Sequence, residues 1–485
     1  MIPPDSVRSD SSEPPLDSGS VAPTEGSRDG ATEAGEAPTF WRRYHLGVWL
    51  LVILVAALVA SAFLPWEWSF IDDGNQITIL RGDQAAHGWL GGILQDMIDM
   101  YHKDRWWGLF RPSFWVFAGT FYLLPVGPAH AVRLAMVVCA IGGPLVVAAR
   151  RFTGRPRAAM LVWTLAAVVA SQQFFAGIWY PSLQETSGLC FVGLGLIAQR
   201  RPVVRALCWL VAAWFKAPFS WLLLAYGLVL CRRRETRLVG AVTSLVAVAT
   251  LAITAYMSHV GFYTGAMNLS RHTVRVNFDT SVGQLAVPLL VVVAGLAVMR
   301  PRIDVSGDPT ALVMLLGGAG YLANLLVWKV DAYYAGPYTY LLTLAVVFAV
   351  SEVGTRSLTR LAAALAVSAV LGGYFLFDNA QYAYNRLSAV NALRDCVLRL
   401  PGSPVVGFNR EEASVRLDFI VREHRPHWGG EVTWVRPDQL TGADGKPLRY
   451  FINQPGYEAS DRSLTSGPVV CHTSEVSIYR VVSQS

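Results

Sequence analysis

The sequence predicts a polytopic α-helical membrane protein that crosses a bilayer about eleven times and carries a small C-terminal α/β domain. Hydrophobic residues make up 53% of the chain and charged residues only 15%, whereas soluble domains carry about 25% charged residues. The hydrophobic excess falls in blocks of roughly 14–24 residues, and about 20 helical residues span a hydrocarbon core. Only helices and closed barrels satisfy the backbone in lipid, and continuous apolar runs favour helices.

The N-terminal segment, residues 1–40, is predicted to be a disordered cytoplasmic tail. It is rich in Pro, Ser, Gly and acidic residues and shows no apolar periodicity. Arg42 and Arg43 precede the first apolar run, so the positive-inside rule places the N-terminus in the cytoplasm. That run starts too late and is too long to be a signal peptide. The predicted transmembrane domain covers 41–377.

Arginine clusters between the apolar runs set the direction of each predicted span, because cytoplasmic loops are enriched in basic residues. Residues 206–231 lie between two such clusters, QRRPVVR and CRRRETR, so we predict two short helices there that turn at Lys216-Ala217-Pro218. The predicted spans are 46–65, 130–149, 158–174, 184–199, the two helices in 206–231, 238–258, 284–299, 310–328, 337–352 and 361–377.

A long first outer loop, 66–128, follows the first span. Its segment 88–104 is amphipathic and is expected to lie along the membrane surface. Residues 109–125 fit either a short span or a half-buried interfacial helix. The cytoplasmic placement of the RRFTGRPR cluster favours the interpretation in which 109–125 does not cross.

The C-terminal residues 378–485 are predicted to form a soluble extracytoplasmic domain, because the number of preceding spans is odd. An amphipathic stretch at 386–400 is followed by strand-like runs, SPVVGF, EVTWV, RYFI and EVSIYRVV. Cys396 and Cys471 lie in this domain and could pair if it is extracytoplasmic, but the sequence does not determine whether they do.

The net charge of +6 does not indicate a nucleic-acid partner, because most Arg residues sit in short clusters between apolar runs. The implied partner is the lipid bilayer. Polar residues on the predicted outer face are candidates for function, because ionisable groups at membrane depth are energetically costly. These candidates are Asp72, Asp73, Arg111, His130, Arg133, Tyr180, Glu185, Lys216, Arg271, His272, Arg275, Lys329 and Asp331.

Taken singly, each candidate has an ordinary structural explanation. A paired Asp after a span can be a solvated helix cap, lone cations at span ends snorkel to headgroups, and Tyr180 fits an interfacial aromatic belt. Taken together, carboxylates and cations from loops of different spans gather on one side of the membrane. Cations can hold a phosphate, and a carboxylate can accept a proton from a hydroxyl.

The order and spacing of these residues resemble the GT-C superfamily of membrane glycosyltransferases, of the protein mannosyltransferase and aminoarabinose transferase type. The resemblance covers roughly 45–350. The motifs that carry it are Phe70-Ile71-Asp72-Asp73-Gly74, Phe110-Arg111-Pro112, Pro128-Ala129-His130, Trp179-Tyr180 with Glu185, and Phe215-Lys216-Ala217-Pro218. Two positions depart from the family pattern: Arg133 stands where an Asn is frequent, and Ala217 where a Glu is frequent.

The resemblance implies an inverting transferase that moves a sugar, mannose in part of the superfamily, from a polyprenyl-phosphate donor to an acceptor that the motifs do not identify. Asp72 or Asp73 would be the general base. Arg111, Lys216, Arg271 and Arg275 would stabilise the phosphate charge. No cofactor is required by the motifs, although some members use a divalent metal, Mg²⁺ or Mn²⁺, which here would bind at Asp72 and Asp73.

Two other function classes are open on the sequence. A transporter or flippase of a lipid-linked substrate would be expected to show repeats with broken spans in matching positions, and the acids here cluster in a loop instead. A non-catalytic membrane scaffold that displays the C-terminal domain predicts that Asp72 and Asp73 can be replaced without effect.

Overall fold

The computed structural model describes residues 67–68, 73–171, 183–261, 270–304, 309–327, 334–353, 358–435, 441–442, 445–454, 462–473 and 476–482. The first predicted span, 46–65, and the tail, 1–40, lie outside these residues. The described chain is mostly helical, with a small sheet near its C-terminal end.

The helices follow the apolar runs of the sequence. They are α1 (Asp73–Trp107), α2 (Pro112–Phe121), α3 (Val126–Arg151), α4 (Gly154–Ala170), α5 (Leu183–Ile197), α6 (Pro202–Phe215), α7 (Ser220–Cys231), α8 (Arg237–Val260), α9 (Arg271–Met299), α10 (Pro309–Leu326), α11 (Ala335–Ala349), α12 (Leu358–Leu398), α13 (Glu411–His424) and α14 (Arg462–Thr465). Short 3₁₀ turns at Ala217–Phe219 and Arg234–Thr236 precede α7 and α8.

Four helices among the described residues are long and apolar enough to cross a membrane: Val126–Arg151, Arg234–Val260, Arg271–Met299 and Pro309–Leu326. They coincide with four predicted spans. Other predicted crossings correspond to shorter apolar helices, among them α4, α6, α7 and α11. The two short helices expected around Lys216 are confirmed, since α6 ends at Phe215 and α7 begins at Ser220. The total of about eleven crossings stays a prediction.

Small residues and polar side chains join the helices of the bundle. Gly143 of α3 lies so close to α5 that a Cβ there would come within 2.4 Å of the Gly193 carbonyl oxygen. Trp209 Nε1 donates to the Val192 carbonyl at 3.1 Å, and the Tyr340 hydroxyl donates to the Ala140 carbonyl at 2.7 Å. Close approach at small residues and interhelical hydrogen bonds are typical of helix packing in lipid, where apolar contact alone gives no preference for protein over lipid.

The first outer loop is largely helical. Helix α1 folds back at Gly88, whose φ of 76° is the left-handed conformation that favours glycine. The predicted amphipathic segment begins at this bend. This segment buries Ile93 and Met100. Its other apolar side chains include Trp89, Leu90 and Leu94, which are 61–66% exposed. An exposed apolar stripe of this kind suits the surface of a bilayer.

Helix α2 lies within the segment 109–125 that the sequence left ambiguous. It has 10 residues, which is about half the length that a membrane crossing needs. Its length therefore favours the interpretation in which this segment does not cross.

The C-terminal sheet is built from five strands: β3 (Val405–Phe408), β4 (Glu431–Trp434), β5 (Tyr450–Asn453), β6 (Val469–His472) and β7 (Ser477–Arg480). A separate two-stranded ribbon pairs β1 (Arg302–Ile303) with β2 (Val350–Glu352). The strand order is β4-β3-β5-β7-β6. β3 is parallel to both of its neighbours, and β7 is antiparallel to β5 and β6. The four predicted strand runs are confirmed as β3, β4, β5 and β7.

Two helices cover this sheet. Helix α13 connects the parallel strands β3 and β4, and its Leu417 and Val421 join Phe408, Ile452 and Ile478 in one buried cluster. Helix α12 runs without a break from the last predicted span into the amphipathic stretch at 386–400. Cys396 and Cys471, whose pairing the sequence left open, form a disulfide with a Cα–Cα separation of 6.1 Å, which joins α12 to β6.

Candidate functional site

A buried ion pair joins two residues that the sequence singled out. The Lys216 ammonium lies 2.6 Å from a Glu185 carboxylate oxygen, and their side chains are 11% and 6% exposed. Glu185 stands in the first turn of α5, and Lys216 sits at the turn between α6 and α7. The ammonium also lies 4.1 Å from the centre of the Tyr334 ring. The turn thus holds a cation that is desolvated but charge-balanced.

A second buried ion pair involves Arg111, another predicted site residue. Its guanidinium binds both carboxylate oxygens of Asp104, with Nε–Oδ2 at 2.9 Å. Trp115 Nε1 donates to the same carboxylate at 2.6 Å, and the Arg111 guanidinium lies 4.8 Å from the Phe114 ring centre. Burial disfavours the charged form of Arg111. The charge and hydrogen bonds of the Asp104 carboxylate stabilise that form by more, so the pKa of the guanidinium is raised.

The two pairs form one charged cluster, the ion-pair site, made of Asp104, Arg111, Glu185 and Lys216. Lys216 lies within electrostatic range of both Arg111 and Asp104, and Arg111 lies within electrostatic range of Glu185. The Tyr321 hydroxyl lies within electrostatic range of Glu185 and has no hydrogen-bond partner among the described residues. A buried hydroxyl in this state is a hydrogen-bond group that a ligand can use.

His130 and Arg133 are buried beside the start of the first outer loop. His130 Nε2 lies 2.8 Å from the Glu67 carbonyl oxygen. The Arg133 guanidinium lies 5.8 Å from the Trp68 ring centre and 5.3 Å from that of Phe121. Both side chains therefore contact the two described residues, Glu67 and Trp68, that precede the Asp72-Asp73 pair in the sequence.

The Glu67 carboxylate binds residues of the C-terminal region. Arg394 of α12 donates to it, and His424 Nε2 of α13 lies 2.8 Å from it. The Glu67 side chain is fully buried. We call Glu67, Arg394 and His424 the loop anchor, because they join the start of the outer loop to the elements that cover the sheet.

An aromatic cluster connects the loop anchor to the ion-pair site. Phe117 lies 5.5 Å from Phe215, the residue before Lys216, and 5.0 Å from Phe121. Phe121 in turn lies 6.4 Å from Trp68, edge to face. Packing of this kind fixes the relative positions of the charged groups that border it.

Other predicted residues are placed apart from this cluster. Arg271, His272 and Arg275 are exposed at the start of α9. Arg275 lies 3.9 Å from Asp279 of the same helix, and no described contact joins these three residues to the ion-pair site. Asp72, Tyr180, Lys329 and Asp331 lie outside the described residues. Asp73 begins α1, and its side chain is not among those described.

Five residues of these clusters were not among the candidates predicted from the sequence: Asp104, Tyr334, Glu67, Arg394 and His424. Asp104 carried a usable signal, since it is an acid seven residues before the candidate Arg111. Glu67 and Arg394 are 327 residues apart in sequence, so no local pattern relates them.

The described residues do not fit a divalent metal at the ion-pair site. Asp104 and Glu185 supply its carboxylates, and each is already bound by a cation, Arg111 or Lys216. No group of three or more His, Cys, Asp or Glu side chains with metal-site geometry occurs in the described part of the chain.

Comparisons with known proteins identify the fold. No protein-family model matches this sequence, and no curated protein matches it. Two solved structures of ArnT from Cupriavidus metallidurans do match. The structure bound to undecaprenyl phosphate has a TM-score of 0.51 and 16% sequence identity, and the match covers 90% of this chain and 98% of that one. The apo structure gives a TM-score of 0.51 and 15% identity over the same shares. The chain therefore has the fold of ArnT, an aminoarabinose transferase of the GT-C family.

Proposed function

We propose that this membrane protein is an inverting glycosyltransferase that moves a sugar from a polyprenyl-phosphate donor to an acceptor on the extracytoplasmic face. The observation that carries the proposal is the ion-pair site, in which two desolvated cations, Lys216 and Arg111, stand together in the fold of ArnT. ArnT itself has been solved with undecaprenyl phosphate bound. Buried, preorganised cations are suited to binding a phosphate group.

The charge balance of the ion-pair site supports a role with phosphate. In the free protein Glu185 and Asp104 neutralise Lys216 and Arg111, so that no lone charge is buried. A phosphate that enters beside them adds negative charge next to cations that are already held in place. The Tyr321 hydroxyl and the nearby Tyr334 ring offer further contacts to a donor.

The reaction is an in-line displacement at the anomeric carbon. An acceptor oxygen attacks C1 as the bond from C1 to the phosphate oxygen breaks, which inverts the anomeric centre. The acceptor proton goes to a carboxylate, for which we assign Asp72 or Asp73. The electron pair of the broken bond stays on the phosphate, and Lys216 and Arg111 stabilise the charge that develops there.

The remaining predicted residues receive supporting roles in this proposal. His130 and Arg133 position the backbone that leads into the Asp72-Asp73 pair through their contacts with Glu67 and Trp68. Arg271, His272 and Arg275 at the start of α9 are assigned to binding of the donor headgroup or the acceptor. Tyr180, Lys329 and Asp331 are assigned to substrate binding as well. A mannose donor is one candidate among hexoses.

The test is sugar transfer from radiolabelled polyprenyl-phosphate hexose in membranes that express the wild type, Asp72→Asn or Asp73→Asn. Glu235→Gln is the matched control, because it also neutralises one carboxylate and is exposed on the turn before α8. We expect one Asn variant to lose transfer by about 10²-fold or more at equal expression, and the control to retain it.

Two results would overturn the proposal. Movement of intact lipid-linked sugar across the bilayer without transfer would support a flippase instead. Transfer that is equal in all four proteins and no greater than in membranes without the protein would leave a scaffold, because neither the chain nor its Asp pair would then contribute to the reaction.

A further inference from the structure

Tyr321 of α10 is fully buried, and its hydroxyl has no hydrogen-bond partner among the described residues. Two other fully buried tyrosines do have partners, since Tyr338 donates to the Ser281 carbonyl at 3.1 Å and Tyr340 to the Ala140 carbonyl at 2.7 Å. A buried hydroxyl normally finds a partner, because an unmade hydrogen bond costs free energy. The exception at Tyr321 indicates that this hydroxyl is used in another state of the protein.

Tight packing holds Tyr321 beside the turn that carries Lys216. Its ring lies 5.2 Å from the Phe219 ring, edge to face, and the Phe219 amide donates to the Lys216 carbonyl at 3.0 Å. Helix α10 approaches the start of α7 closely, because a Cβ at Gly317 would come within 2.8 Å of the Leu222 backbone. The ring of Tyr321 is therefore fixed relative to the turn.

Phe219 also connects Tyr321 to Glu185. Gly188 stands three residues after Glu185 on α5, and a Cβ there would come within 2.3 Å of the Phe219 ring. Because residues three apart share a helix face, Glu185 and the contact with Phe219 lie on the same side of α5. The Tyr321 hydroxyl lies within electrostatic range of the Glu185 carboxylate, which the Lys216 ammonium approaches to 2.6 Å. Two donors therefore border this carboxylate.

A phosphate at the ion-pair site would change the partner of Lys216. An ammonium that turns to a phosphate leaves the Glu185 carboxylate, and a buried carboxylate that loses its partner is costly. The Tyr321 hydroxyl can replace the ammonium, because it lost its hydrogen bond to water on folding and gains one here.

We propose that Tyr321 is a positioning residue whose hydroxyl donates to the Glu185 carboxylate when a lipid phosphate draws Lys216 away from it. This inference rests on the proposed function, because it needs a phosphate at the ion-pair site. Tyr321 acts through Glu185: it stabilises the carboxylate and so leaves Lys216 to the phosphate. Direct contact with the lipid is the other use open to this hydroxyl, and the test separates the two.

The test measures the dissociation constant of undecaprenyl phosphate, the lipid bound in the ArnT structure, with the purified full-length chain in a neutral detergent. The test variants are Tyr321→Phe, Glu185→Gln and the double variant. The control is Tyr340→Phe, which also removes one hydroxyl from a fully buried ring, but one that already donates to the Ala140 carbonyl. Thermal unfolding of each lipid-free protein is measured alongside.

We expect Tyr321→Phe to weaken binding roughly 10- to 100-fold, because a hydrogen bond to a charged group contributes about that factor. The unfolding midpoint of its lipid-free form should not fall, since no described hydrogen bond is lost. Tyr340→Phe should show the reverse pattern, with a lower midpoint and binding within about twofold of the wild type. In the Glu185→Gln background, Tyr321→Phe should weaken binding less than about threefold, because a hydrogen bond to a neutral amide is weaker.

Three results would overturn the inference. Equal binding by the wild type and Tyr321→Phe would do so and leave the proposed function standing. An equal loss from Tyr321→Phe with and without Glu185→Gln would assign the hydroxyl to direct contact with the lipid. No binding by the wild type would remove the phosphate from the ion-pair site, and with it both proposals.

An infrared difference spectrum keeps the test decisive if Glu185→Gln fails to fold. Binding of undecaprenyl phosphate should shift a carboxylate stretching band of the wild type, because Glu185 exchanges an ammonium for a hydroxyl. The same band should shift differently in Tyr321→Phe, and an identical shift in both proteins would contradict the exchange.

Discussion

The two ends of helix α6 differ in how positively charged side chains are arranged. At the ion-pair site each cation has its own carboxylate, Lys216 with Glu185 and Arg111 with Asp104, and all four groups are buried. At the other end of α6, a cavity of about 570 Å³ is lined by Arg150, Arg151, Arg200, Arg205 and Arg233, and no acid is among the described residues of its lining. The first cluster carries no net charge inside the protein, whereas the second brings like charges from three separate segments together. The residues of both clusters can be read from the sequence, but the contacts between helices decide which of them meet.

The largest effect that tests this comparison is expected from Lys216→Met. The substitution leaves the Glu185 carboxylate buried without its partner, and breaking a buried ion pair costs about 3–5 kcal/mol. We expect a lower midpoint of thermal unfolding in detergent and a loss of sugar transfer of about 10²-fold or more.

The double variant Glu185→Gln/Lys216→Met separates the two effects. Removing both charges should restore most of the thermal stability, because no lone charge remains, but it should not restore transfer. Recovery of transfer in the double variant would show that the pair is only structural.

Glu67→Gln is expected to produce the next largest effect. Arg394 and His424 would lose the carboxylate that they share, which should destabilise the protein by about 3 kcal/mol. Hydrogen exchange should show faster opening of α13 and of the first turns of α1 than in the wild type. A uniform increase over all spans would mean that the loop anchor does not join these two elements in particular.

Asp96 provides a pH-dependent test outside the membrane spans. Burial raises the pKa of Asp96 to about 7, and repulsion from the nearby Asp83 and Asp99 carboxylates contributes to this rise. The positive charge of Lys103 has a smaller, opposite effect and lowers the pKa. The folded protein therefore keeps a proton on Asp96 that the unfolded chain releases above about pH 4. Stability should fall as the pH rises from about 4 to 7 and then level off.

Asp96→Asn should remove that fall, because the amide keeps the shape of the carboxyl group without its charge. At pH 8 we expect the variant to be more stable than the wild type by up to about 4 kcal/mol, because the pKa of Asp96 is raised from 3.8 to about 7 and one pKa unit corresponds to about 1.4 kcal/mol. Thermal unfolding at pH 5 and pH 8 measures the effect. Asp378→Asn, at an exposed position of α12, is the control and should leave the pH profile unchanged.

The smallest effect is expected from Arg275→Gln. Arg275 and Asp279 are 83% and 68% exposed, and exposed pairs of this spacing contribute about 0.3–0.5 kcal/mol. Thermal stability should be unchanged within error. A change in transfer without a change in stability would assign Arg275 to donor or acceptor binding.

Much of the fold follows from the sequence because it depends on local chemistry. Continuous apolar runs of the right length predicted the long helices α3, α8, α9 and α10, and short strand-like runs predicted β3, β4, β5 and β7. Pro218 after Lys216 predicted the turn between α6 and α7. Helix α13 was not predicted, because its apolar face is short and its remaining residues are polar.

The candidate site, like the fold, was predicted only in part from the sequence. The sequence identified Arg111, Glu185 and Lys216 as costly charges near span ends, since the cost of burying a charge depends on residue type and neighbouring hydrophobicity. Only the tertiary structure determined that Lys216 pairs with Glu185 and Arg111 with Asp104, that Arg394 and His424 bind Glu67, and that three arginine clusters surround one cavity. These contacts depend on which helix ends meet in space, and that follows from packing of the whole bundle and not from any local pattern.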